Sequence, residues 1–141
     1  MTRRTIPPRR GASAVEAAVV LPVLFLFVFG LIVGGLGAFR YQEVAMLARE
    51  GSRWAAVHGT TYQDESGRQT PVTAADVYNN AMKPLAVALD PAKISYTVRY
   101  TPDNQPPAST VSVTVTYRWL PEVYLVGPIT LSCTSTRVMA Y

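Results

Sequence analysis

The sequence predicts an α+β protein. A long N-terminal helix, half transmembrane and half amphipathic, packs on a small three-stranded antiparallel sheet with a second short helix. Three observations predict it. Ala17 to Phe39 is a run of 23 uncharged residues between Glu16 and Arg40. An apolar stripe of helical period continues from Arg40 to His58. From residue 94 onward, apolar and polar residues alternate one by one.

The membrane-spanning half comes first. A helix needs about 20 apolar residues to cross a bilayer, and residues 12–39 supply them. Residues 1–11 form a basic leader with Arg3, Arg4, Arg9 and Arg10, and no acid precedes Glu16. From Arg40 onward nine Lys and Arg face eight Asp and Glu, so the formal charge of +4 belongs to that leader. Basic flanks stay in the cytoplasm, which predicts a cytoplasmic N-terminus and an extracytoplasmic head at 40–141. No basic face lies elsewhere in the chain, so no nucleic-acid partner is expected. Within the span, Pro22 frees the Ala18 carbonyl and predicts a bend, which membrane helices tolerate when neighbours recover the bond. Gly30 and Gly34 make a small-xxx-small pair that lets two helices approach closely. With Gly35 and Gly37 they also read as a flexible exit from the bilayer.

The amphipathic half is 40–58. Val44, Leu47, Ala48, Gly51, Trp54, Ala55 and His58 share one face, and Gln42, Glu43, Arg49, Glu50 and Arg53 fill the other. Gly59 is the stop. Span and extension together predict one helix of about 60 Å at 1.5 Å per residue. On this stripe Trp54 reads as core and His58 as a helix-end residue.

Thr60 to Pro71 is a polar loop. Thr73 to Asp76 is a capping pattern that opens a second helix over 73–89, with Val77, Tyr78, Ala81, Met82, Leu85 and Leu89 on its apolar side. Pro84 breaks or kinks it, and Asp90-Pro91 closes it. The sheet occupies 94–141. Ile94, Tyr96, Val98 and Tyr100 alternate with polar residues, as do Val111, Val113, Val115, Tyr117 and Trp119, which means one packed face and one wet face. Between them Thr101 to Ala108 carries three prolines. Ile129, Leu131 and Cys133 begin a third strand. Val138 and Ala140 fall out of phase with them, which predicts a bulge near Ser135. Cys133 reads as a small buried hydrophobe.

Catalysis and metal binding find little support. His58 and Cys133 are each the single residue of their type, which excludes an intramolecular disulfide and the common multi-histidine or multi-cysteine metal sets. A carboxylate-only metal site has no cluster behind it. Ser–His or Cys–His chemistry would rest on His58 alone, and no Gly-x-Ser-x-Gly elbow occurs. Asp64-Glu65 sits in a polar loop. No enzyme activity and no cofactor are expected.

The apolar segment has three readings. A secretory signal has a shorter apolar region, of about 7–15 residues, and a small-residue exit; Gly34 to Ala38 is a weak one. An uncleaved single-pass anchor with an extracytoplasmic interaction domain accounts for the length and the arginines, but not for Gly11 and Glu16. In the third, Arg9-Arg10-Gly11-Ala12-Ser13-Ala14-Val15-Glu16 resembles the processing site of pilins and pseudopilins. Ala17 to Pro22, Gly30, and Ala48-Arg49-Glu50-Gly51-Ser52-Arg53 with Ala55 and Ala56 resemble the TadE-like family, pseudopilins of the tight-adherence (Flp) pilus system. Ala12 replaces the Phe or Met typical of type IV pilins and type II secretion pseudopilins, and Ala17 replaces an aromatic residue common after this glutamate.

The resemblance implies a pilin-like arrangement, with the long helix laid on the sheet. It also implies an inner-membrane protein cut between Gly11 and Ala12 by a prepilin peptidase, with the bilayer and other pilin or pseudopilin subunits as further partners. Glycine suits the cut bond because it resists helix formation. Glu16 then has two roles. Locally, Ser13-Ala14-Val15-Glu16 is a capping box whose carboxylate meets the helix dipole. In an assembly, Glu16 pairs with the new ammonium at Ala12 of a neighbouring subunit and fixes the axial register between helices.

Overall fold

The computed structural model describes residues 10–58, 67, 72–101, 110–121 and 127–139. The leader through Arg9, the stop at Gly59, the loop after it, most of the proline-rich loop and Ala140 lie outside them. The chain forms two compact units, Met1–Gly35 and Leu36–Tyr141.

Helix α1 runs Arg10–Val57 and includes Pro22. It also passes through Gly30, Gly34, Gly35 and Gly37. Each glycine costs about 1 kcal/mol of helix propensity, and the Leu, Ala and Phe residues around it offset that. Helix α1 is described from Arg10, so Gly11, Ser13 and Glu16 all fall within its described length. Ala12, Ala14, Ala17 and Ala18 are the best helix formers and carry the helix back across one glycine.

In the second unit the sheet has the order β1-β2-β3, from β1 (Ile94–Thr101), β2 (Thr110–Trp119) and β3 (Ile129–Val138). Both pairings are antiparallel, from Ile94↔Tyr117 to Thr101↔Thr110 and from Thr110↔Val138 to Trp119↔Ile129. The second register has no bulge at Ser135, which corrects the expectation. Ser135 stays on the inward face because its hydroxyl finds a partner there, and Val138 is left exposed on the other. Cys133 is half-buried, less than expected, because β3 is an edge strand.

The sheet lays its apolar face on α1. Val44, Leu47, Ala48 and Ala55 of the helix and Val111, Val113 and Val115 of β2 are fully buried. Two glycines allow the contact. A methyl at Gly51 would collide with the Met82 side chain and lie 3.2 Å from Val113 Cγ1, and one at Gly37 would lie 2.9 Å from Trp119 Cζ3. From Gly37 to Gly51 the helix advances about 21 Å at 1.5 Å per residue, and from Trp119 back to Val113 the strand covers about 20 Å at 3.4 Å per residue. Strand β2 therefore runs antiparallel to α1 with matched rise. Gly51→Leu should destabilise this unit by about 2 kcal/mol or more through overpacking, read as a lowered denaturation midpoint of the full chain in detergent. Truncation at Met82 in the double variant should recover part of it.

The second helix is shorter than its apolar pattern. Thr73 caps it with a full capping box, its hydroxyl accepting from Asp76 N–H at 3.3 Å while Asp76 Oδ2 accepts from Thr73 N–H at 2.9 Å. Helix α2 (Ala74–Val77) widens into a π turn over Tyr78–Met82 and tightens into a 3₁₀ turn over Lys83–Leu85. It ends there and not at residue 89, because Pro84 has no N–H to continue it. Tyr78 stacks on Tyr96 of β1 at 4.6 Å between ring centroids.

Candidate functional site

The predicted processing and packing residues all lie on the first part of α1. Gly11, Ser13, Glu16 and Pro22 are exposed, and so are Gly30 and Gly34, beside which a methyl would meet nothing within 4 Å. Gly30 and Gly34 are one turn apart on one face, open to a second helix. Val19, Val20, Val23, Leu24 and Phe27 are exposed as well. Ser13–Val57 is long and apolar enough to cross a membrane by length and composition, and its most apolar window is not buried at all inside the structure.

Polar groups pin the head to the helix. Ser52 is fully buried; its Oγ donates to the Arg49 carbonyl at 2.9 Å and meets Ser135 Oγ at 2.8 Å. In the sequence Ser52 stands only within the TadE-like segment and has no role of its own, since a serine beside an apolar stripe carries no signal until its partner on the sheet is known. Glu43 Oε1 accepts from Ala88 N–H at 3.3 Å, which ties the segment after the second helix to α1. Its other oxygen faces Arg40 Nη1 at 4.0 Å, too far for a hydrogen bond, and both atoms are buried.

The C-terminal end of α1 and the second helix border an open cleft of about 470 Å³, lined by Glu50, Arg53, Trp54, His58, Asn80 and Leu85 among others. Trp54 is half-buried on its wall and not in the core. His58 stacks on it at 3.8 Å, with Nδ1 2.8 Å from the Trp54 carbonyl, a helix-end arrangement. Among the described residues no group of three or more His, Cys, Asp or Glu could hold a metal ion. On the far face of the sheet, cross-strand hydroxyl pairs join Thr114 to Thr134 at 2.8 Å, Thr116 to Ser132 at 3.2 Å and Thr136 to Ser112 at 3.1 Å.

One tyrosine is perturbed. The Tyr100 hydroxyl is buried and has no hydrogen-bond partner among the described residues. Burial, and then the charge of Asp76, push its pKa above the ordinary 10.0. A raised folded-state value leaves the stabilising contribution intact below the unfolded value and removes it as pH climbs past that value. The protein should therefore lose thermal stability above about pH 10, and Tyr100→Phe should soften that loss. Melting curves from pH 9 to 11 for both proteins check it.

These features define a class: an apolar helix long enough to cross a membrane, whose C-terminal half is the spine of a small α+β head. Residues 11–53 match the model of the family described as TadE-like protein. The match suggests a protein associated with the tight-adherence (Tad) pilus that carries an N-terminal apolar helix. No match was found among curated proteins or among solved structures.

Proposed function

We propose that the chain is a pseudopilin or minor-pilin-like structural subunit in the assembly of a tight-adherence pilus. In this reading it sits in the inner membrane as a single-pass protein, with a cytoplasmic N-terminus and an extracytoplasmic head. A prepilin peptidase removes 1–11, freeing the Ala12 ammonium to pair with Glu16 of an adjoining subunit. One observation carries the reading. The family match over 11–53 covers the exposed apolar segment and the buried Val44, Leu47 and Ala48 that meet the sheet, which supports reading this helix as the spine of a structural subunit. The cleft gathers His58 and an exposed Glu50–Arg53 ion pair at 3.8 Å.

The test is the intact mass and N-terminal residue of the protein recovered from its native membrane. Protein beginning at Ala12 supports the processed subunit. Protein that keeps its arginine leader, where pilins of the same membrane are trimmed, favours the uncleaved single-pass anchor with an extracytoplasmic interaction domain.

A further inference from the structure

We infer that the base of the head rests in the interfacial layer of the bilayer that α1 crosses, with Val87, Leu120 and Phe39 as its anchors; this rests on the membrane reading above. The packing sets the level. Trp119 lies against Gly37, so the end of β2 is beside the last turn of the uncharged stretch, and Leu120 follows it with 54% of its surface exposed. Helical side chains lean toward their helix N-terminus, so Glu43 reaches down toward Arg40, and there it accepts the Ala88 N–H at 3.3 Å. That bond holds Val87, 88% exposed, next to the Arg40–Glu43 turn. Phe39, 56% exposed, and Leu36 stand there on α1 itself. Single exposed hydrophobes are ordinary on a soluble surface. Here three separate segments place theirs at the height where α1 acquires its first charge.

Lipid is the occupant because the end of β2 lies beside Gly37, within the same compact unit as Phe39, the last uncharged residue before Arg40. The charges at this end set its depth. Arg40 is on α1, and the Asp90–Lys93 ion pair, 3.5 Å long and partly exposed, precedes Ile94, which pairs with Tyr117 near the same end of β2. Such groups suit the headgroup layer and not the hydrocarbon. Tyr41, also exposed, adds the amphipathic ring common at that boundary.

The experiment uses the full chain in vesicles of phosphatidylcholine and phosphatidylglycerol. In a Cys133→Ser background, Val87→Cys, Leu120→Cys, Phe27→Cys or Thr97→Cys each carries an environment-sensitive dye. All four positions are exposed, so the label displaces no core residue. A lipid-borne nitroxide should quench the dye at 87 and 120 several-fold more than at 97, on the outer face of the sheet, and iodide should do the reverse. If 27 answers to the nitroxide while 87 and 120 answer to iodide like 97, the inference falls and the span stands. Shielding of 87 and 120 from both quenchers means that protein covers the base, and also overturns it. Iodide quenching at 27 defeats the membrane reading itself, and the inference with it.

Discussion

Leu47→Ala should cost the head about 3 kcal/mol, because Leu47 is fully buried where α1 meets the sheet and leucine truncation in such sites typically costs 2–5 kcal/mol. The neighbouring face of the helix has no comparable stake. Met46 is partly exposed, and Met46→Ala should stay within about 0.5 kcal/mol. Denaturant titration of the full chain in detergent reads both, with near-ultraviolet dichroism reporting the packed Trp119 and far-ultraviolet dichroism the helix. Tertiary signal should be lost at lower denaturant in Leu47→Ala while the helical signal largely persists, since the segment before Leu36 forms a separate compact unit. Equal midpoints for Leu47→Ala and the parent would contradict the packing of this stripe.

Glu16→Ala should abolish or nearly abolish piliation while leaving the Gly11–Ala12 cut in place. The proposed pairing makes this the largest functional effect of any single substitution in the span. A charged side chain at the bilayer centre costs about 2.5–3.5 kcal/mol even on lenient scales. Nearer the interface the cost is smaller, yet it still favours a partner, and the ammonium freed at Ala12 is one. Glu16→Gln separates this from a local role. Glutamine keeps the hydrogen-bonding shape of a capping residue but carries no charge, so it too should fail to assemble. Electron microscopy for fibres and intact mass for the trimmed chain give the two readouts. Wild-type piliation in either variant would remove the pairing.

The parts of the fold that were legible in sequence are those where one face of a regular element is buried. The stripe from Val44 to Ala55 shows at helical period because the sheet covers that face, and β1 and β2 show at period two because only one side of each is covered. Strand β3 was misread at its end. Its inward face finishes on Ser135 and Arg137, whose polar character hides the phase, while Val138 is apolar and exposed. The second helix was drawn too long for a related reason. Leu89 is buried, as its place in the pattern suggests, but it arrives there through irregular backbone after Pro84. Gly51 and Gly37 stand in the sequence as weak helix formers. Their use appears only once Met82 and Trp119 are brought up against them. Among the candidate site residues, Gly30 and Gly34 keep the open surface that helix pairing needs, whereas Ser52 and Glu43 tie α1 to partners 83 and 45 residues away, which no local pattern shows.

The antiparallel course of β2 along α1 has a mechanical consequence. Tension drawn through α1 toward its N-terminus acts parallel to the seam that runs from Gly37 and Trp119 to Gly51 and Val113. Leu47, Val44 and the Ser52–Ser135 bond then bear load together, in shear, and none can be peeled away before the next. A head joined to its spine in this geometry yields by sliding as a whole, so its grip under traction grows with the length of the seam.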